Sequence, residues 1–270
     1  MRLSIKEQSN LLSKYGQWAI VTGASSGIGL ELATQLAQAG FNLVINSRYS
    51  DKLQEVGKLL KANTSIQIKS VPADVSEIDG INKIIQASQG LNIGLLIVSA
   101  GYGTSGSFID SLLLSEVNML KVNCEALLTL THHYGQQFAK QRRGGIILMS
   151  SMVAFQGTPY AANYAATKAY VQTLAEGLAV ELKPYGVNVL AAAPGPVESG
   201  FGQRANMKMS MSLSPAEVGV PILTALGRKT TVLPGHLTKL LVYSLRAVPR
   251  WGKIKIMKKV MSGMTKHQRS

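Results

Sequence analysis

Residues 17–29 read Gln17-Trp18-Ala19-Ile20-Val21-Thr22-Gly23-Ala24-Ser25-Ser26-Gly27-Ile28-Gly29. Gln17–Thr22 is a short apolar run, the pattern of a strand buried on both faces. Glycines follow, and Gly27–Ala39 then places Ile28, Leu32, Leu36 and Ala39 on one side of a predicted helix. Glycines at a strand–helix turn permit a tight backbone and close approach of a pyrophosphate. The helix N-terminus adds free N–H groups and a positive dipole end. Gly23, Ser25, Ser26, Gly27, Ile28 and Gly29 are therefore candidate residues of a dinucleotide site. The alternative is a plain strand–helix turn, and its place at the head of a strand–helix series favours the ligand.

Outward from this turn the chain keeps alternating. Strands are predicted over 42–46, 65–71, 93–98, 145–149 and 186–192, and helices over 51–61, 78–88, 115–141 and 162–183. Strands alternating with helices of this length form parallel βαβ units with right-handed crossovers. The expectation is one doubly wound, Rossmann-like α/β domain over 1–270, with 194–270 forming a substrate loop and a basic helical end.

Composition narrows the class. Apolar residues are 46% and charged residues 16%, which excludes a disordered polyelectrolyte. The single cysteine, Cys124, excludes an intrachain disulfide and suggests a reducing compartment. Four histidines, of which only His132 and His133 are adjacent, give no zinc spacing, so no metal is expected. Met1 to Gly16 carries Lys6, Glu7 and Lys14 and does not read as a signal peptide. No apolar run reaches the ~18 residues of a membrane span, and a cytoplasmic location is expected. The net charge is +14, and Phe201 onward holds 13 basic residues against one acid, Glu217. The charge excess therefore belongs to the C-terminal end.

Tyr164 and Lys168 stand four apart on a predicted helix, hence on one face. A tyrosine pKa is ordinarily ~10, and a nearby ammonium favours the phenolate. The pair is a candidate general acid/base, although a lone Tyr-x3-Lys is usually structural. Its context is more specific. The turn has Gly-x3-Gly-x-Gly spacing rather than the Gly-x-Gly-x2-Gly fingerprint. It resembles the cofactor motif of the short-chain dehydrogenase/reductase family, and further matches run in order from Trp18 to about Ser199.

That resemblance implies an oxidoreductase and assigns roles. Ser151 would hydrogen-bond the substrate carbonyl, and Tyr164 would protonate the developing alkoxide. Lys168 would bind the nicotinamide ribose and lower the tyrosine pKa, and Asn123 would hold a water relaying protons to Lys168. Asp74, beside Val75, would bond the adenine ring. Val98-Ser99-Ala100-Gly101 resembles the family's Asn-Asn-Ala-Gly element with both asparagines replaced, leaving Ala100 and Gly101 to pack beside the cofactor. Pro194-Gly195-Pro196-Val197 would line the nicotinamide, with Ser199 near its carboxamide. In NAD enzymes an acid after the second strand binds the ribose 2′-hydroxyl. Here Ser47 takes its place and Arg48, suited to bidentate phosphate binding, follows, so NADP(H) is favoured.

Beyond Pro194 the pattern loosens. Met207, Met209 and Met211 read as a flexible apolar lid or as a plain surface loop. Ser214-Pro215 starts a helix, Thr230–Leu233 is a candidate seventh strand, and His236–Ala247 and Gly252–Gly263 are candidate amphipathic helices. A basic amphipathic end can lie on an anionic membrane or pack on its own subunit, so peripheral membrane contact through 236–270 is one reading. No aromatic platform or recognition helix supports nucleic-acid binding. Tyr15-Gly16-x-Trp18-Ala19 and Leu233-Pro234-Gly235 with its basic end resemble a branch of bacterial reductases related to ketoacyl-thioester and 17β-hydroxysteroid reductases. It implies a lipophilic carbonyl, lipid metabolism, and a homodimer or homotetramer through helices 115–141 and 162–183. The rivals are a silent NADP(H)-sensing protein and a membrane-surface protein acting through its basic end.

Overall fold

The computed structural model describes residues 1–209 and 212–268. In chain order the elements are α1 (Ile5–Tyr15), β1 (Trp18–Thr22), α2 (Gly27–Gln38), β2 (Asn42–Ser47), α3 (Ser50–Ala62), β3 (Ile68–Pro72), α4 (Ile78–Ala87) and β4 (Ile93–Val98). There follow α5 (Leu113–Leu120), α6 (Ala126–Gln141), β5 (Gly144–Met149), α7 (Ala162–Glu181), β6 (Val187–Ala192), α8 (Phe201–Arg204), α9 (Pro215–Ala225), β7 (Thr231–Val232), α10 (His236–Arg246) and α11 (Arg250–Met264). The seven strands form one parallel sheet in the order β3-β2-β1-β4-β5-β6-β7. This is the doubly wound fold that the alternation predicts.

The strands are apolar throughout because helices cover both faces. Along β1, Ala19 and Val21 pack with Leu32, Leu36 and Leu53 of α2 and α3, whereas Trp18 and Ile20 pack with Leu130 and Phe138 of α6 and Val171 of α7. Strand order reverses between β1 and β4, which opens a crevice beyond their carboxyl ends. The glycine turn, the 99–101 segment and the 194–199 segment all meet there.

Several boundaries depart from the sequence expectation. α1 is a helix that apolar periodicity does not reveal. A capping box starts it: Glu7 N–H donates to Ser4 Oγ, and the Glu7 carboxylate accepts from the Ser4 N–H at 2.8 Å. The helix is docked by buried Leu11 and Tyr15, and the Tyr15 hydroxyl donates to Asn188 Oδ1 at 2.9 Å. The third strand starts three residues later than expected, and the seventh keeps only Thr231–Val232. The long helix 115–141 starts earlier, at Leu113, and is divided by a π turn at Lys121–Glu125. α11 starts at Arg250, behind Pro249. Among the described residues no helix is long and apolar enough to cross a membrane, and no three metal-ligating side chains cluster.

Candidate active site

The glycine turn admits little but glycine. Gly23 and Gly27 have φ of +67° and +57°, in the left-handed region that disfavours other residues. A Cβ on Gly23 would stand 2.8 Å from the Ala100 nitrogen, one on Gly27 would stand 2.5 Å from Ser199 Cβ, and one on Gly29 would stand 2.3 Å from the Gly23 carbonyl oxygen. Thr22 Oγ1 accepts from the N–H groups of Ser99 and Ala100, both at 3.1 Å, tying the ends of β1 and β4 together. Ser99 Oγ stands 3.3 Å from where that Gly29 Cβ would be, so a small residue suits the place of the missing asparagine. Ser26 precedes α2 without a side-chain cap, which leaves the first-turn N–H groups to the crevice.

At the end of β2, Ser47, Arg48, Tyr49 and Lys52 line the same crevice, with Asp74 and Val75 opposite. Arg48 pairs with Asp74 Oδ2 at 3.7 Å, while Asp74 Oδ1 accepts from the N–H and Oγ of Ser76, both at 2.9 Å. The Arg48 and Lys52 cations lie 5.5 and 5.8 Å from the Tyr49 ring centre. Both members of the ion pair are partly exposed. Such pairs contribute at most about 1 kcal/mol, so the guanidinium is readily available to an anion. Lys52 and Tyr49 were not singled out in the sequence, although one helical turn after Arg48 is where a second cation would be sought.

Ser151, Tyr164 and Lys168 converge as their spacing implies. Ser151 follows β5 and starts a short 3-10 turn, where its Oγ accepts from the Val153 N–H at 3.4 Å. Tyr164 and Lys168 share one face of α7, with the ammonium 5.8 Å from the ring centre. All three are buried. Burial pushes the Tyr164 phenol up to about 12, opposed by its hydrogen bond with Ser151. Burial also lowers Lys168 to about 8, while Cys124 raises it slightly. Lys168 Nζ donates to the Met149 carbonyl at 2.7 Å, and removal from water is the largest influence on both groups.

Asn123 lies on the π turn, a distortion often found at functional sites. Its Nδ2 donates to the Tyr102 carbonyl at 2.8 Å and Thr167 Oγ1 at 3.0 Å, while Oδ1 accepts from the Tyr102 N–H at 3.1 Å. Both amide hydrogens are thus engaged by protein, and the side chain fixes the 101–103 segment against α7. A Cβ on Gly101 would lie 3.0 Å from Asn123 Oδ1 and 3.5 Å from Lys168 Nζ, so Gly101 gives both groups room.

One cavity of about 1040 Å³ joins these parts. It runs from the glycine turn past Ala100, Gly101, Tyr164 and the 194–197 segment to an apolar end. Phe201 packs on Tyr164 with ring centres 5.2 Å apart. Met207 and Met209 line the apolar end, while Met211 lies outside the described residues. Most of this cover comes from elsewhere. Met257, Met261 and Met264 of α11 form a helical stripe facing the cavity, and Met257 and Met261 pack with Met119, Ala161 and Tyr164. Their spacing is a visible signal beneath the conspicuous lysines. The end of α11 is tied down where the Lys208 N–H donates to the Met264 carbonyl at 3.0 Å and Gln268 Nε2 to Ser105 Oγ at 2.9 Å.

Comparison with known proteins agrees with this geometry. Residues 17–210 match the family model for short chain dehydrogenase. The 7beta-hydroxysteroid dehydrogenase of Clostridium sardiniense is 30% identical over 234 residues, covering 85% of this chain and 90% of that one. A very-long-chain 3-oxoacyl-CoA reductase of Pyricularia oryzae is 38% identical over 186 residues, 66% of this chain and 56% of its own length. A solved structure titled for 7beta-hydroxysteroid dehydrogenase stereoselectivity superposes with a TM-score of 0.85 at 27% identity, over 92% of this chain and 98% of that chain. A short-chain dehydrogenase from Sphingobium yanoikuyae in complex with NADPH superposes with 0.77 at 25% identity, over 87% and 96%.

Proposed function

The chain belongs to the short chain dehydrogenase family of oxidoreductases, and on that premise we propose that it reduces a lipophilic ketone or a 3-oxoacyl thioester with NADPH. The observation that carries this reading is the single cavity, which joins a glycine cradle, a buried Ser–Tyr–Lys set and a methionine-lined slot. A dinucleotide fits the near end, because the tightly packed glycine turn lines the cavity at the N-terminus of α2, whose first-turn N–H groups suit a pyrophosphate. Gly23, Ser25, Ser26, Gly27, Ile28 and Gly29 would hold the phosphates. Arg48 and Lys52 would hold a 2′-phosphate, with Asp74 and Val75 beside the adenine and Ala100, Gly101, Pro194, Gly195 and Val197 along the nicotinamide side.

When bound, the nicotinamide supplies the hydride. Ser151 and Tyr164 face the place of the substrate oxygen and donate hydrogen bonds to it. A phenol with pKa about 12 keeps its proton at neutral pH and still yields it to an alkoxide, which is far more basic. Lys168 stands behind the phenol to bind the ribose. Asn123 acts by positioning, since its amide is engaged with Tyr102 and Thr167. Exposed Leu113, Val117, Leu120 and Leu128 on α5 and α6, with Tyr170 and Val180 on α7, supply an apolar face for a homodimer or homotetramer.

The test is NADPH oxidation against hydrophobic ketones and a 3-oxoacyl thioester. Tyr164→Phe should lower kcat by ~10²–10⁴-fold, the range of a general acid, with NADPH affinity unchanged. Unchanged turnover in the variant would overturn the role of Tyr164. NADPH binding without turnover across the panel would favour the sensor reading.

A further inference from the structure

The outer side of α10 and α11 has a character that the reaction does not require. Leu237 and Leu241 of α10 and Ile256 and Val260 of α11 line the cavity, yet they are 45%, 38%, 43% and 43% exposed. They form its rim, so the apolar lining continues onto the protein surface. Elsewhere on the same two helices Leu240, Tyr243 and Trp251 are exposed. Arg246 lies 4.8 Å from the Tyr243 ring centre and Lys255 lies 5.1 Å from that of Trp251. From residue 236 to 268 the segment carries Lys239, Arg246, Arg250, Lys253, Lys255, Lys258, Lys259 and Lys266 and no acid.

None of these cations lines the cavity, so they are not placed to clamp a substrate inside it. Two like faces meeting about a two-fold axis would oppose lysines to lysines, which disfavours a second copy of the chain as the occupant. Aromatic rings paired with long cationic side chains around exposed leucine and isoleucine suit a lipid interface, where rings sit at headgroup depth and ammonium groups reach anionic headgroups.

We propose that the exposed sides of α10 and α11 seat this protein on an anionic lipid bilayer, and that the substrate enters the cavity from the bilayer across the Leu237–Leu241–Ile256–Val260 rim. The proposal deepens the reading of a lipophilic substrate and rests on it for the second half. A bilayer-dissolved ketone then reaches Tyr164 without crossing water, through an opening whose walls are the docking surface itself.

The full chain is sedimented with phosphatidylcholine vesicles with and without phosphatidylglycerol. Two variants accompany it, Trp251→Ala and the triple change Lys255→Glu, Lys258→Glu, Lys259→Glu, all at exposed sites outside the reaction machinery. Binding should require phosphatidylglycerol and weaken with added salt. The triple variant should bind at least ~10-fold more weakly, since each basic residue near an anionic surface contributes severalfold. Trp251→Ala should weaken binding by a smaller factor. NADPH oxidation with a membrane-partitioned ketone should rise when anionic vesicles are added to the unaltered chain and not to the triple variant. Oxidation with a water-soluble ketone should be the same in both. No binding to anionic vesicles, or equal binding by the triple variant, would overturn the docking surface. Velocity sedimentation showing that the triple change dissociates an oligomer would assign the face to subunit contact instead. Vesicle binding with no acceleration of the partitioned ketone would overturn the route of access while leaving docking intact. Failure of every ketone, including the soluble one, would strike the reductase reading and leave the vesicle result to stand separately.

Discussion

The two ends of the cavity are specified in opposite ways. At the cofactor end the backbone decides: Gly23, Gly27 and Gly29 each face a neighbour that a single carbon would strike. At the substrate end side chains decide: Met207, Met209, Met257, Met261 and Met264 fill space with unbranched, adaptable groups. One end admits nearly one sequence, and the other accepts many. A fold can thus hold its chemistry fixed while its substrate changes, because the rigid and adaptable walls belong to different stretches of chain.

The strongest way to break this contrast is Gly29→Ala. The added Cβ would lie 2.3 Å from the Gly23 carbonyl oxygen, and backbone on both sides resists movement. Loss of measurable NADPH binding is expected, with destabilisation of ~1–3 kcal/mol, as for overpacking of a tight interior. Calorimetric titration and urea unfolding would check both. A variant that bound NADPH normally would show that the turn is more tolerant than its geometry implies.

Arg48→Ala acts at the same end through charge alone. A hydrogen bond to a charged group is worth ~1.5–3 kcal/mol, so NADPH affinity should fall by ~10- to 100-fold while NADH affinity hardly changes. Parallel titrations with the two nucleotides give the ratio directly. Equal loss for both would remove Arg48 from the 2′-phosphate and leave it as the partner of Asp74.

The same contrast explains what could be read before the structure. The glycine turn, the parallel alternation and the spacing of Ser151, Tyr164 and Lys168 were legible because backbone geometry and helical period restrict the residues that serve there. The shared cover of α10 and α11 was not, because exposed lysines at 255, 258 and 259 hide the stripe of Met257, Met261 and Met264. α1 escaped because its signals are a capping box and one short buried pair, Leu11 and Tyr15, rather than a long apolar stripe. Spacing along a helix carries no information about burial, which here is the largest influence on both Tyr164 and Lys168.

Burial of Tyr164 also has a signature in stability. Its phenol would ionise near pH 10.0 when unfolded and near about 12 when folded. Between those values the unfolded chain binds fewer protons, so stability falls as pH rises through that window and is unaffected below it. Relative to Tyr164→Phe, the unaltered protein should therefore show a constant stability difference up to about pH 10 and a declining one above, by at most ~1.4 kcal/mol per pH unit. Tyr15 and Tyr134, also raised by burial, titrate in both proteins and cancel. Urea midpoints at paired pH values would show the break, and parallel curves throughout would mean that Tyr164 is more solvated than its position indicates.

The smallest effect tests the adaptable end. Gly263 lies near the end of α11, and a Cβ placed there meets nothing within 4 Å. Its φ is outside the left-handed region, so alanine can adopt the same backbone and reduces the entropy lost on folding. Gly263→Ala should stabilise the protein by a few tenths of a kcal/mol up to ~1 kcal/mol, with NADPH affinity and kcat unchanged. The same chemical change, one methyl on a glycine, is thus expected to abolish cofactor binding at position 29 and to improve stability at position 263. If thermal unfolding showed both variants destabilised alike, the cover over the substrate slot would be as tightly constrained as the turn that cradles the cofactor, and the distinction between rigid and adaptable walls would fail.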